Sequence, residues 1–278
     1  LSTRLAELYA ASVGELPGGA PGESAILHVS DLHLNPLGAE LVVRLAEDLQ
    51  VDAVLDTGDV TTFGFGVEAR FGQLLEQVDV PYLLVPGNHD SPDNRAQLGA
   101  LEGITVLDRT VEVVGGVRIL GVPDPTFTAD NEVSTAEANE VKDRSADEVR
   151  RRVRSERPDV LAVHDLRQAA ESAGLVGVIA AGHVHERTMK QVDGSWMLTI
   201  GSTGATGLGS FTVDTDRAYE AEVLRFRDGV LVAVDHLSVA GVDGAFTLQR
   251  HIVEPLADAA DDGASPSDES PGPTVTAP

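Results

Sequence analysis

An α/β fold, with helices packed on a layered and largely parallel β-sheet, is what this sequence predicts, and three observations carry that expectation. From Ile26 onward, short β-branched runs alternate with helical patterns in the order strand, helix, strand, helix, strand, which calls for right-handed crossovers onto one sheet. The run Tyr82-Leu83-Leu84-Val85 is closed by Pro86-Gly87, the pattern of a buried strand followed by a tight turn. Finally, strand after strand ends at a residue with metal-binding or acid–base chemistry, and α/β sheets bind ligands in the crevice beyond the carboxyl ends of their strands.

Taken in order, Leu1, Leu5 and Leu8 stand at helical spacing, predicting a lead-in helix over 1–16, and Pro17 to Gly22 reads as a linker. Ile26 to Val29 is a strand, Leu37 to Gln50 an amphipathic helix with Leu41, Val42, Leu45 and Leu49 on one face, and Ala53 to Leu55 the next strand. A second helix over about Val67 to Val78 leads into Tyr82 to Val85. Arg95 to Leu101 reads as a short helix, and Ile104 to Leu107, Val111 to Val114 and Val117 to Leu120 as short strands. Asp124 to Asn139 lacks apolar periodicity and is expected to be a functional surface loop; Ser145 to Glu156 is a charged helix. Val160 to Val163 and Val176 to Ala181 are strands around a helix at Leu166 to Ala173. Trp196 to Ile200, a hairpin of Glu220 to Phe226 with Val230 to Leu237 across Asp228-Gly229, and Phe246 to Val253 complete the strands. From Ala257 the chain is acidic, Ser/Pro-rich and expected to be disordered. The resulting division is a lead-in over 1–23, one domain over 24–256 that holds all the predicted strands, and a tail over 257–278.

Composition narrows the chemistry. With no cysteine in 278 residues, disulfides and thiolate metal sites are excluded, so a transition metal would be held by His, Asp, Glu or Asn. A formal net charge of −25 repels polyanions and argues against a nucleic-acid-binding surface. No apolar run approaches the roughly 20 residues that span a bilayer, so the chain as given reads as a soluble domain, cytoplasmic or tethered to a membrane through a segment upstream of Leu1.

Five predicted strands end at potential ligands: Asp31 with His33, Asp59, Asn88, His164, and His183 with His185. Each block alone is compatible with a cap, a turn or a structural histidine. Together they form a set of oxygen and imidazole donors suited to two divalent cations such as Mn, Fe or Zn. Two such ions can clamp the attacking and leaving oxygens of a phosphoryl displacement, and a water held between them ionises near neutral pH to become the nucleophile. Asp59, central in the ligand order, is the natural bridge. His89, beside Asn88, is placed to protonate the leaving alkoxide, with Asp90 either to orient that imidazole or only to cap the chain as it leaves the sheet.

These residues resemble the calcineurin-like metallophosphoesterases, whose pattern of Asp-x-His, Gly-Asp, Gly-Asn-His-Asp/Glu, a lone His and Gly-His-x-His reads here as Asp31-Leu32-His33, Gly58-Asp59, Gly87 to Asp90, His164 and Gly182 to His185. The match is complete, in order, and spans about residues 25 to 203. It implies a four-layer αββα sandwich of two mixed β-sheets flanked by helices. It also implies one metal on Asp31, His33, Asp59 and His185, a second on Asp59, Asn88, His164 and His183, and His89 as the acid. Purple acid phosphatases carry a tyrosine three residues after the bridging aspartate; Thr62 stands there in this chain, so an iron–tyrosinate centre is not expected. The Asp165-Leu166 that follows the lone histidine fits no named variant of the pattern.

Around this core, Arg95, six residues after His89, is a candidate to reach a phosphate oxygen, as the similarity to bacterial cyclic-nucleotide phosphodiesterases suggests, and Asn35 and Arg187 border the site in sequence. His28, His236 and His251 read as structural, and Gly201 to Gly204 as a rim or a turn. The expected activity is hydrolysis of a small phosphoester, a diester before a monoester because no basic cluster is present to hold a dianion. Cyclic or other nucleotides and lipid headgroups are the candidate substrates. A phosphomonoesterase, or a scaffold without catalysis, are the alternatives.

Overall fold

The computed structural model describes residues 22–127, 135–207, 218–240 and 245–253. Two mixed β-sheets face one another. The first has seven strands: β1 (Ser24–Val29), β2 (Ala53–Asp56), β3 (Tyr82–Leu84) and β4 (Ile104–Val106) run parallel, and β11 (Tyr219–Arg227), β12 (Val230–Ala240) and β13 (Ala245–Ile252) extend it antiparallel from the free side of β1, giving the order β13-β12-β11-β1-β2-β3-β4. The second has six, in the order β5-β6-β7-β8-β10-β9. In it β6 (Val117–Val122), β7 (Val160–Val163), β8 (Val178–Ala181) and β10 (Ser195–Thr199) are parallel, while β5 (Thr110–Val114) and β9 (Thr188–Val192) are antiparallel edges.

Alternation along the strands divides the apolar residues among three interfaces. Ile26, Leu55, Leu83, Val160, Ala162, Val178 and Ala180 meet between the sheets. Leu27, Val54 and Leu84 face the other way, against Val42 and Leu45 of helix α1 (Pro36–Asp48) and Leu98 of helix α2 (Pro92–Leu98). Leu161, Val163, Ile179 and Ala181 pack on Val149 and Val153 of helix α3 (Thr135–Glu156). Three apolar seams separate four layers, the αββα sandwich. Strands buried on both faces are continuous apolar runs in sequence, and that makes these strands readable.

Several elements differ from expectation. Helix α3 begins at Thr135 rather than Ser145, so it takes in part of the expected loop. Its buried stripe is Ala138, Lys142, Ala146, Val149 and Val153, and a lysine within it hides the helical period. Strand β9, Thr-Met-Lys-Gln-Val, has no counterpart among the expected strands, because it is an exposed edge with no apolar face to mark it. The helices expected near Val67 and Leu166 are 3-10 segments at Gly66–Gln77 and Leu166–Ser172. The lead-in helix, residues 17–21 of the linker and the acidic tail lie outside the described residues. None of the described helices is long and apolar enough to cross a membrane.

Candidate metal centre

The parallel strands of both sheets deliver their following loops to one end of the sandwich, so Asp31 and His33 after β1, Asp59 after β2, Asn88 and His89 after β3, His164 after β7, and His183 and His185 after β8 converge. The loops are tightly wound. Asp31, His33, Asp59, His183 and His185 all have left-handed backbone, with φ of 57°, 44°, 59°, 72° and 53°, each at about 1–2 kcal/mol. Strained backbone clustered at one place marks a functional site. Gly58 adopts φ 106°, a conformation L side chains avoid. Gly87 serves by size: a Cβ there would fall 2.2 Å from Oδ1 of Asp59, so the loops after β2 and β3 meet only across a glycine.

The side chains gather into two clusters, Asp31 with His33 and His185, and Asp59 with His164 and His183, each with ligand atoms within 4.8 Å of one another. In the first, Nε2 of His185 lies 3.0 Å from Oδ1 of Asp31 and 3.3 Å from Nε2 of His33. In the second, Nε2 of His164 lies 3.1 Å from Oδ2 of Asp59 and 3.2 Å from Nδ1 of His183. Oδ2 of Asp59 also stands 3.8 Å from Nε2 of His33, so one carboxylate oxygen reaches both clusters. Asn88 is buried in the loop after β3, next in the chain to His89, whose amide meets Asp59. Ring orientations are fixed from behind by backbone carbonyls: Thr61 for Nδ1 of His33 at 3.2 Å and Thr57 for Nδ1 of His164 at 2.7 Å. A carbonyl on one ring nitrogen sets the tautomer and turns the other toward the cluster. These threonine carbonyls escape a sequence reading because every residue has one.

Electrostatics shows what the set requires. Burial pushes Asp31 and Asp59 up, but the surrounding imidazoles, His185 for Asp31 and His164 for Asp59, outweigh it and hold both carboxyls below their usual range. Burial lowers His164, yet Asp59 and Asp31 prevail and carry its pKa up to about 10. Two fully buried carboxylates thus draw positive charge into the site. Imidazole nitrogens 3.3 Å apart, with carboxylate oxygens on either side, are the donor set that divalent cations satisfy, so the residues present fit two such ions.

Around the clusters the structure redistributes the expected roles. His89 is half-buried, its ring centroid 5.2 Å from that of His33; its Nδ1 meets the Thr62 carbonyl at 2.6 Å and its amide donates to Oδ1 of Asp59 at 2.8 Å. Asp90 does not orient this imidazole. Its Oδ2 accepts from the amides of Asp59 and Gly87, and its Oδ1 from the amide and hydroxyl of Thr61, all at 2.9 Å; four donors turn it beneath the loops instead. Arg95 is likewise committed to main chain, donating to the carbonyls of Asp90, Gly87 and Asp124 at 2.8, 3.1 and 3.2 Å. Asn35 caps α1, accepting from Leu37 N at 3.0 Å and donating to Gly204 O at 2.8 Å. Each is engaged by backbone groups that the tight loops leave without partners.

Ser202 and Thr203 belong to the same scaffold, with Ser202 Oγ donating to Asp31 O at 2.7 Å and Thr203 N to Ser30 O at 2.8 Å. His28 bridges Glu222 at 3.0 Å and Thr57 at 3.1 Å inside the first sheet, and His251 packs on Trp196. His236 lies 3.8 Å from Glu220, and Arg187 has its Nε 3.7 Å from the Glu222 carboxylate.

A two-sheet sandwich with paired acid–imidazole clusters at its strand ends defines a metal-binding α/β domain. More particularly, the chain belongs to the calcineurin-like phosphoesterase superfamily, whose domain pattern matches residues 25–216. The DNA double-strand break repair protein Mre11 of Saccharolobus solfataricus is 28% identical over 209 residues, covering 64% of this chain and 54% of that protein. Mre11 of Methanosarcina acetivorans is 30% identical over 122 residues, covering 36% of this chain and 20% of that protein. The chain therefore spans about half, or less, of the curated relatives it matches. Among solved structures, TT1561 of Thermus thermophilus aligns with a TM-score of 0.51 at 19% identity over 72% of this chain and 93% of its own. GAP50, the anchor in the inner membrane complex of Plasmodium, aligns at 0.54 and 10% identity over 84% and 90%; both likenesses are of fold alone.

Proposed function

We propose that this chain is a dinuclear metal-dependent phosphodiesterase acting on a small substrate, a nucleotide or lipid-headgroup diester. The observation that carries the reading is the pair of clusters joined through Asp59, with His89 at their edge and two neighbouring cations already spent: Arg95 is bound to three carbonyls and Lys142 is buried between Asp124 and Asp165. Asp31, His33, Asp59 and His185 would hold one ion and Asp59, Asn88, His164 and His183 the other; donors without thiolate suit Mn, Fe or Zn. When bound, the ions supply Lewis acidity and activation of water. A diester offers one negative charge for them to neutralise. A dianionic monoester would ask for further positive groups of the kind that Arg95 and Lys142 do not offer.

The chain's own residues supply the rest. His89 has Nδ1 donating to the Thr62 carbonyl, so the proton that Nε2 would give to the leaving oxygen is the second one, carried when the ring is an imidazolium, with Nδ1–H staying on the carbonyl. Asp59 holds the backbone of that residue by accepting from the His89 amide. The net charge of −25 favours a small substrate over a polyanion, which approaches such a surface against repulsion. The test is turnover of bis-p-nitrophenyl phosphate against p-nitrophenyl phosphate in added Mn. We expect kcat/KM for the diester to lead by tenfold or more. The reverse order would favour the monoesterase, and two bound metals with neither activity would favour a scaffold.

A further inference from the structure

Lys142 is one of two lysines in the chain, and its side chain is 4% exposed. Lysines are almost never so buried unless paired. It projects from the apolar stripe of α3 toward the strand ends of the second sheet, where Nζ lies 3.1 Å from Oδ2 of Asp124, after β6, and 2.9 Å from Oδ2 of Asp165, after β7. Both carboxylates are pinned by their other oxygen: Asp124 Oδ1 accepts from the amide and hydroxyl of Thr126 at 2.8 and 2.6 Å, and Asp165 Oδ1 from the Arg167 amide at 2.9 Å. The Asp165 oxygen that takes the lysine stands 3.6 Å from Nε2 of His183.

His183 is the odd member of its cluster. His33 and His164 have a backbone carbonyl at Nδ1 and turn Nε2 inward, whereas His183 turns Nδ1 toward Nε2 of His164, at 3.2 Å. To ligate through Nδ1 it must carry its proton on Nε2, and the acceptor on that side is Asp165. A carboxylate behind a ligating histidine fixes its tautomer and raises its basicity. Asp165 can serve only if its own position is fixed, and without the lysine it would share a buried space with the like charge of Asp124.

We propose that Lys142 is a positioning residue, holding Asp165 so that Asp165 fixes His183 with Nδ1 toward the cluster of Asp59 and His164, and so setting the metal affinity of that cluster alone. This rests on the dinuclear reading above. The experiment titrates Mn into the chelator-treated full chain by calorimetry, for the wild type, Lys142→Met and Asp165→Asn. The asparagine keeps the cap on Arg167 and leaves Lys142 paired with Asp124, so it tests the idea even where Lys142→Met fails to fold. Wild-type protein should bind two ions, and each variant should lose tenfold or more in affinity at one site, the other unchanged, in the range typical of ligand-orienting partners. In the Zn-loaded protein, long-range proton–nitrogen NMR should show His183 protonated on Nε2, and this signature should change in Asp165→Asn. Wild-type affinities in a folded Asp165→Asn variant, or equal loss at both sites, would overturn the proposal. A wild type that binds no metal would instead overturn the dinuclear reading beneath it.

Discussion

Replacing Asp90 by asparagine separates two roles that a carboxylate beside His89 could have. The side chain is fully buried and takes four hydrogen bonds, from the amides of Asp59, Gly87 and Thr61 and the Thr61 hydroxyl. Every one of its partners is a donor. An asparagine amide group must therefore face at least one backbone N–H, most cheaply that of Thr61, since the single Thr61 hydroxyl proton can turn to the His89 carbonyl 2.8 Å away. One stranded buried donor costs about 2 kcal/mol, and lowering two charge-assisted bonds to neutral ones about 1 kcal/mol each, for a loss of about 4 kcal/mol. That is a large part of the ~5–15 kcal/mol that holds a domain folded. Urea unfolding of wild type and Asp90→Asn, in chelator so that metal binding does not mask the difference, measures it directly. Unfolding free energies within about 1 kcal/mol of each other, with activity lost, would refute the loop-organising role and restore the orienting one.

The remaining predictions concern the acid, the arginine and a buried carboxyl. His89→Ala should keep both metals and lose far more activity on diesters with poor leaving groups than on nitrophenyl esters, as removal of a proton donor requires; equal losses across a leaving-group series would contradict that role. Arg95→Lys cannot span three carbonyls, so stability should fall by about 1–2 kcal/mol while KM for a diester stays within twofold; a large rise in KM at unchanged stability would return Arg95 to substrate binding. Asp56 is fully buried at the end of β2, its carboxyl 2.5 Å from the Tyr82 hydroxyl, and burial pushes its pKa up to about 8 against that hydrogen bond and the Gly58 amide. A carboxyl raised in the folded state stabilises fully below its unfolded pKa, and that contribution is lost as pH climbs toward the folded value, at about 1.4 kcal/mol per pH unit. Between pH 5 and 7 wild type should therefore lose stability relative to Asp56→Asn, and parallel curves in urea titrations would disprove it.

The parts of the fold that can be read from sequence are those where one physical demand dominates. Val160 to Val163 and Val178 to Ala181 face apolar seams on both sides, so their sequences are plain apolar runs. The converging Asp and His residues are legible because parallel strands bring every following loop to the same end. What stays hidden is context. Lys142 sits inside the apolar stripe of α3 and breaks its pattern, and β9 has no buried face to advertise it. Asp90 and Arg95 lie near His89 in sequence but serve the backbone of wound loops, a demand that arises only once those loops exist. The same holds for Asp165, whose partner is a lysine twenty-three residues earlier.

The central claim is that Asp59 joins two metal sites into one catalytic centre, and counting metals in Asp59→Ala tests it most directly. Wild-type protein loaded with Mn and freed of excess should carry two ions per chain by mass spectrometry and hydrolyse bis-p-nitrophenyl phosphate. The variant, folded by circular dichroism, should lose bound metal and activity together. A variant that keeps two ions, or that turns over the diester at the wild-type rate, would contradict the account.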